Sequence, residues 1–147
     1  MFEKILYPTD FSDVSKKALD YLKQLREAGA KEVIVLHIID TREIESIARY
    51  GEVPMNLEKG LEEKMEESVK QELTAVEAEL RESGFDVKVR IEKGIPFREI
   101  LRVEEEEEAS VVVIGSHGKS CVAEMFLGSV SEKVVRKSKK PVLVIRR

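Results

Sequence analysis

Short apolar runs alternate with longer amphipathic stretches along this chain. The run KILY at 4–7 reads as a compact strand. Beyond it, Val14, Ala18, Leu22 and Leu25 recur at spacings of three and four, the period of one helix face. Ser12 is placed to open that helix and Gly29 to close it. EVIVLHII at 32–39 is apolar almost throughout, the pattern of a strand covered on both faces. Leu57, Leu61, Met65, Val69, Leu73, Val76 and Leu80 then form one long helical stripe that Gly84 ends. In DVKVRIEKG at 86–94, Val87, Val89 and Ile91 alternate with Lys88, Arg90 and Glu92, which predicts a strand near a sheet edge.

Pro96 stands where the first turn of another helix tolerates it. SVVVIG at 110–115 predicts a buried strand, GSVSEKVVRKS a helix with cations at its C-terminal end, and PVLVIRR a last strand. Five strands alternating with helices predict a parallel sheet with right-handed crossovers. The expected fold is a single doubly wound α/β domain over residues 1–147, strand order 3-2-1-4-5, with helices on both faces. The five glutamates at 104–108 read as the solvated end of a helix. Segment 41–56 is long for a connection and reads as a short helix or a flap.

Composition narrows the function classes. A net charge of −4 leaves no basic surplus to neutralise a nucleic-acid backbone. No apolar run approaches the ~20 residues of a membrane span, and MFEKILYPTDF lacks the pattern of a secretory leader. The single cysteine, Cys121, excludes an internal disulfide framework and fits a reducing compartment, so a cytoplasmic protein is expected.

The candidate chemistry lies where strands end, the place ligands occupy in open α/β sheets. One such end is YPTDFS at 7–12, where Pro8 stiffens the turn and Asp10 lands just past the strand, as a ligand contact or as a turn or capping residue. The other is GSHGKSCVAEMFLGSVSEKV at 115–134. Its Gly-Lys-Ser imitates a P-loop, but the glycine that motif requires falls on Val113, so the P-loop reading fails. What remains is Gly115, two residues, Gly118, nine residues, Gly128 and Ser129. Gly115 and Gly118 would let the backbone turn with no Cβ before a ligand. Gly128, Ser129, Val130 and Ser131 would open a helix whose free N–H groups suit an anion, with the serine hydroxyls as further donors.

That spacing, with PTD near the N-terminus, LHIID after the second strand, GIP after the third and the terminal KKPVLVIRR, resembles the ATP-binding universal stress proteins over essentially the whole chain. The resemblance implies ribose held by Asp10 and Gly115, and the adenine edge by the main chain near Ile38, with Pro8 and Thr9 beside it. It implies phosphates at Gly118, Gly128, Ser129, Val130 and Ser131, bridged by Mg²⁺ or Mn²⁺ held mainly by those phosphates. It further implies a homodimer through strand 141–146, whose apolar edge would otherwise lie open. The expected function is a nucleotide-dependent switch; a slow or partner-dependent ATPase and a nucleotide-independent dimeric scaffold are the alternatives. The sequence offers no convincing catalytic base near the phosphates, since the resemblance assigns Asp10 to ribose and Glu124 is a loop carboxylate. His37 reads as a strand histidine with its needs met, His117 as a neighbour of phosphate or lid, and 119–127 as a lid or a packing segment.

Overall fold

The structure is a computed structural model that describes residues 1–42, 45, 55–118 and 127–147, with the backbone alone at 55–59 and 61. The elements are β1 (Lys4–Pro8), α1 (Asp13–Glu27), β2 (Glu32–Asp40), α2 (Met55–Glu82), β3 (Asp86–Gly94), α3 (Pro96–Glu106), β4 (Val111–Gly115), α4 (Ser129–Lys137) and β5 (Val142–Ile145). The strands form one five-stranded sheet in the order β3-β2-β1-β4-β5. Every neighbouring pair is parallel.

Side-chain alternation divides the core into two layers. Ile5, Tyr7, Val33, Val35, Val111 and Val113 face Ala18, Leu19 and Leu22 of α1 and Leu73, Val76 and Leu80 of α2. Leu6, Ile34, Leu36, Val112 and Ile114 face Ile100 and Val103 of α3 and Val134 of α4. The central strands therefore carry apolar residues at successive positions, while β3, on the edge, is only half-buried. No helix among the described residues is long and apolar enough to cross a membrane.

Three helices stop in one way. After α1, Gly29 N–H donates to Arg26 O and Ala30 N–H to Leu25 O; after α2, Gly84 donates to Arg81 O and Phe85 to Leu80 O. After α3, Glu108 donates to Glu105 O and Ala109 to Glu104 O. This paired pattern requires a left-handed residue just beyond the helix. Gly29 and Gly84 adopt it at φ 108° and 94°, and Glu108 at φ 52° despite its side chain.

The glutamate run departs from expectation. Glu104 and Glu107 are buried, at 5% and 9% exposure, so the solvated-end reading holds only for Glu105, Glu106 and Glu108. Glu104 accepts the Ser138 hydroxyl proton. Glu107 accepts Lys88 Nζ at 2.7 Å and Arg90 Nη1 at 3.1 Å, with Lys4 Nζ 3.7 Å away. Charged residues of β1 and β3 converge there, a match that like-charged neighbours in sequence do not reveal. Of segment 41–56, residues 41, 42 and 45 are helical and α2 begins at Met55; the flap reading falls mainly outside the described residues. The lid reading of 119–127, all but Leu127, and the roles weighed for Cys121 and Glu124 also fall outside the described residues.

Candidate functional site

Beyond the carboxyl ends of β1, β2 and β4 lies a cavity of about 620 Å³. All ten residues singled out from sequence line it: Pro8, Thr9, Asp10, Ile38, Gly115, Gly118, Gly128, Ser129, Val130 and Ser131. They come from the β1–α1 turn, β2, the β4 end and the α4 start, which only the parallel sheet brings together.

The β1–α1 turn is held from several sides. Thr9 N–H donates to Leu36 O at 2.8 Å, continuing the ladder past β1. Thr9 Oγ1 accepts Phe11 N–H at 3.1 Å and the Ser15 hydroxyl at 2.6 Å. Its carbonyl, which can only accept, lies 2.7 Å from His37 Nδ1, so that nitrogen carries the proton. Phe11 stands at φ 62° with its ring stacked on His37, centroids 4.8 Å apart. Beneath, Tyr7 Oη donates to Ser15 O at 2.5 Å, and burial pushes its phenol pKa up, with the Ser15 and Thr9 hydrogen bonds pulling the other way. Asp10 Oδ1 accepts Ser12 N–H at 3.0 Å, so the turn-stabilising reading of Asp10 is true of this oxygen.

The three motif glycines have a steric rather than a conformational reason. Among the described residues the left-handed glycines are Gly29, Gly84 and Gly94, none of them in the motif. A Cβ on Gly115 would lie 3.1 Å from Val14 Cγ1 and 3.3 Å from Ser15 N. On Gly118 it would lie 2.8 Å from Asp10 Oδ2, and on Gly128 3.3 Å from Ser116 O. The spacing thus lets β4 approach α1 and lets the two cavity walls close on each other.

Gly128 starts α4 in an extended conformation, φ −70° and ψ 162°, with no side chain capping the helix. α3 also starts without a side-chain cap, behind Pro96 on the cavity wall, whereas Ser12 Oγ caps α1 by accepting Ser15 N–H. The first N–H groups of α4 have no intrahelical acceptor and carry the positive end of the helix dipole. Gly128 N–H and the Ser131 hydroxyl both donate to Ser116 O at 2.7 Å, fastening the start of α4 to the end of β4. Ser131 is buried and its hydroxyl proton is committed there, so what it offers an anion is its amide. His117 lines the same wall, its Nδ1 2.7 Å from Ser116 Oγ.

Several wall residues were not singled out as site residues. Asp40 and Arg42 stand at the β2 end, paired through Arg42 Nε at 3.0 Å and Nη2 at 2.8 Å. That hydrogen bonding holds the Asp40 carboxyl below its ordinary pKa. Met65, Ser68, Val69 and Glu72 form the α2 wall. Their 65/68/69/72 spacing marks one helix face, but Met65 and Val69 read as ordinary core until the sheet end is located. Among the described residues no group of three or more His, Cys, Asp or Glu is arranged to hold a metal ion.

The universal stress protein family model matches residues 1–146. The chain belongs to the universal stress protein family. This universal stress protein is 41% identical to universal stress protein MJ0577 of Methanocaldococcus jannaschii, over 100% of this chain and 96% of that protein. The solved structure of MJ0577 superposes with a TM-score of 0.91, covering 100% and 97% of the two chains at 43% identity. Universal stress protein YxiE of Bacillus subtilis is 35% identical over 99% of this chain and 100% of its own. An Archaeoglobus fulgidus universal stress protein, solved in complex with dAMP, shares the fold at a TM-score of 0.66 and 20% identity, covering 99% and 98% of the chains.

Proposed function

We propose that this universal stress protein binds an adenine nucleotide, ATP with Mg²⁺ or Mn²⁺, and works as a nucleotide-dependent switch in the cytoplasm. The observation that carries the reading is the convergence of the uncapped α4 N-terminus, the Asp10 carboxylate and the β2 end on one cavity of about 620 Å³. The donor chemistry supports a division of labour. Asp10 and Gly115 face sugar hydroxyls, the main chain near Ile38 faces the base edge, and the amides of Ser129, Val130 and Ser131 face phosphates beside Gly118 and Gly128. The metal would be held mainly by the phosphates, with Asp10, Asp40 and Glu72 as the carboxylates among the described wall residues. The dAMP complex of the A. fulgidus protein shows that a protein of this fold accommodates an adenine nucleotide.

Assembly through strand 141–146 belongs to the same reading. β5 is the terminal strand of the sheet, and Leu143 on it is 38% exposed. A second copy pairing along that edge would satisfy its backbone and cover its apolar side chains.

The test is a calorimetric titration with ATP and Mg²⁺ on nucleotide-free protein, beside Ser129→Pro. Proline is tolerated at the first helical position, and the extended Gly128 before it suits a proline. The substitution removes one cavity N–H and one hydroxyl while leaving α4 able to form. Saturable binding near one ATP per chain, weakened at least tenfold in Ser129→Pro at unchanged melting temperature, is expected. Absence of heat together with an unchanged melting temperature at high ATP overturns the reading, because a ligand of the native state must raise stability.

A further inference from the structure

Most cations of this protein's long-range charge network are matched by carboxylates. Lys88 and Arg90 are held by Glu107, Lys93 by Glu62 and Glu66, and Arg102 by Glu92, Glu99 and Glu106. Three others gather instead around one aromatic ring. Lys133 Nζ lies 4.8 Å, Lys137 Nζ 5.1 Å and Arg98 Cζ 5.6 Å from the centroid of Phe97. Among the described residues none of the three has a carboxylate within ion-pair distance. A single cation suffices to use the face of a ring, and all three side chains are exposed to solvent around it.

Their position adds a direction. Phe97 follows Pro96 of the cavity wall and packs in one apolar layer with Ile38 and Val130, which also line the cavity. Lys133 stands one turn after Ser129, about 6 Å along the α4 axis. Helical side chains lean toward the N-terminus, so its stem runs back toward the start of α4. The described cavity wall itself is short of positive charge. It carries Asp10, Asp40 and Glu72 against Arg42, whose guanidinium already meets Asp40. The amides of α4 supply about half a positive charge between them, whereas a chain of phosphates brings several negative ones.

We propose that Arg98, Lys133 and Lys137 form a phosphate-receiving cluster that takes the distal phosphates of a polyphosphorylated nucleotide seated at the α4 N-terminus. Affinity then rises with the number of phosphates, and the cluster sets the preference for triphosphate over monophosphate. This inference rests on the nucleotide reading, so its experiment carries a probe without a nucleoside. Full-length protein is titrated with AMP, ADP, ATP and inorganic tripolyphosphate at low and at physiological salt. The comparison is with Lys133→Met/Lys137→Met and with Arg98→Met, which keep an unbranched stem on the Phe97 ring.

The expected result is an order AMP, ADP, ATP of increasing affinity, with ATP weakened about tenfold in the double variant and AMP unchanged. Tripolyphosphate binding falls with ATP binding, and the difference shrinks as salt screens the cluster. Equal weakening of AMP and ATP, or no change in either, overturns the cluster while leaving the nucleotide reading intact. If no nucleotide binds, that reading falls and tripolyphosphate decides alone: saturable binding lost in the variants sustains a polyphosphate site, and its absence removes it. Loss of tripolyphosphate binding with ATP binding untouched overturns the assignment to the nucleotide's own phosphates.

Discussion

Glu107→Gln tests whether the buried charge cluster contributes stability of the size its geometry implies. The carboxylate accepts Lys88 Nζ at 2.7 Å and Arg90 Nη1 at 3.1 Å on one oxygen, with Lys4 3.7 Å from the other. A hydrogen bond to a charged group contributes about 1.5–3 kcal/mol where it is shielded, and the Arg90 arm, with that side chain 18% exposed, approaches this case. The Lys88 side chain is 55% exposed, so solvent screening reduces its arm to about 0.5 kcal/mol. Glutamine keeps one neutral acceptor and recovers part of the loss, leaving an expected destabilisation of about 2 kcal/mol at pH 7. The melting temperature should fall by about 4–8 °C.

The pH dependence gives the sharper readout. The Lys88 hydrogen bond holds the Glu107 carboxyl below its ordinary pKa, against the opposing effect of burial and with Arg90 adding to the lowering. A lowered folded-state value means that the folded protein releases this proton more readily than the unfolded chain. The contribution is therefore fully present above the unfolded pKa of about 4.3 and is lost as pH falls through the folded value. Urea unfolding of both proteins from pH 7 to pH 3 should show a constant difference at the upper end and convergence below about pH 4. A difference under about 0.5 kcal/mol at pH 7, the size of an ordinary surface change, refutes the reasoning. So does a larger difference that fails to shrink in acid.

Two further substitutions address separate features. Glu108→Gly should stabilise the protein by up to about 1 kcal/mol in urea unfolding, since it gives α3 the left-handed glycine that follows α1 and α2; destabilisation would show that the Glu108 side chain contributes more than its backbone strain costs. Leu143→Lys on the exposed edge of β5 should shift the proposed dimer toward monomer in sedimentation at micromolar concentration, and unchanged sedimentation of a dimer would place the interface elsewhere.

What sequence alone determined here is what depends on neighbours within about one helical turn or on strand alternation. The apolar runs specified nine elements, Ser12 and the two stop glycines marked helix ends, and alternation in 86–94 identified an edge strand. The glycine spacing alone pointed to an anion cradle at strand ends, and the resemblance it carries together with PTD assigned the remaining wall residues. Three things required the tertiary structure. The motif glycines face Val14, Asp10 and Ser116, contacts that exist only once β4 lies beside β1 and α1 packs over the pair. The glutamate run splits into buried and exposed members because Lys88 and Arg90 stand on a strand that precedes α3 in sequence yet meets its C-terminal end in space. Arg98 and Lys133 both reach the Phe97 ring, from helices separated by a whole strand. Backbone periodicity is a local property and can be read in one dimension; close approach and charge pairing depend on distances that only chain folding creates.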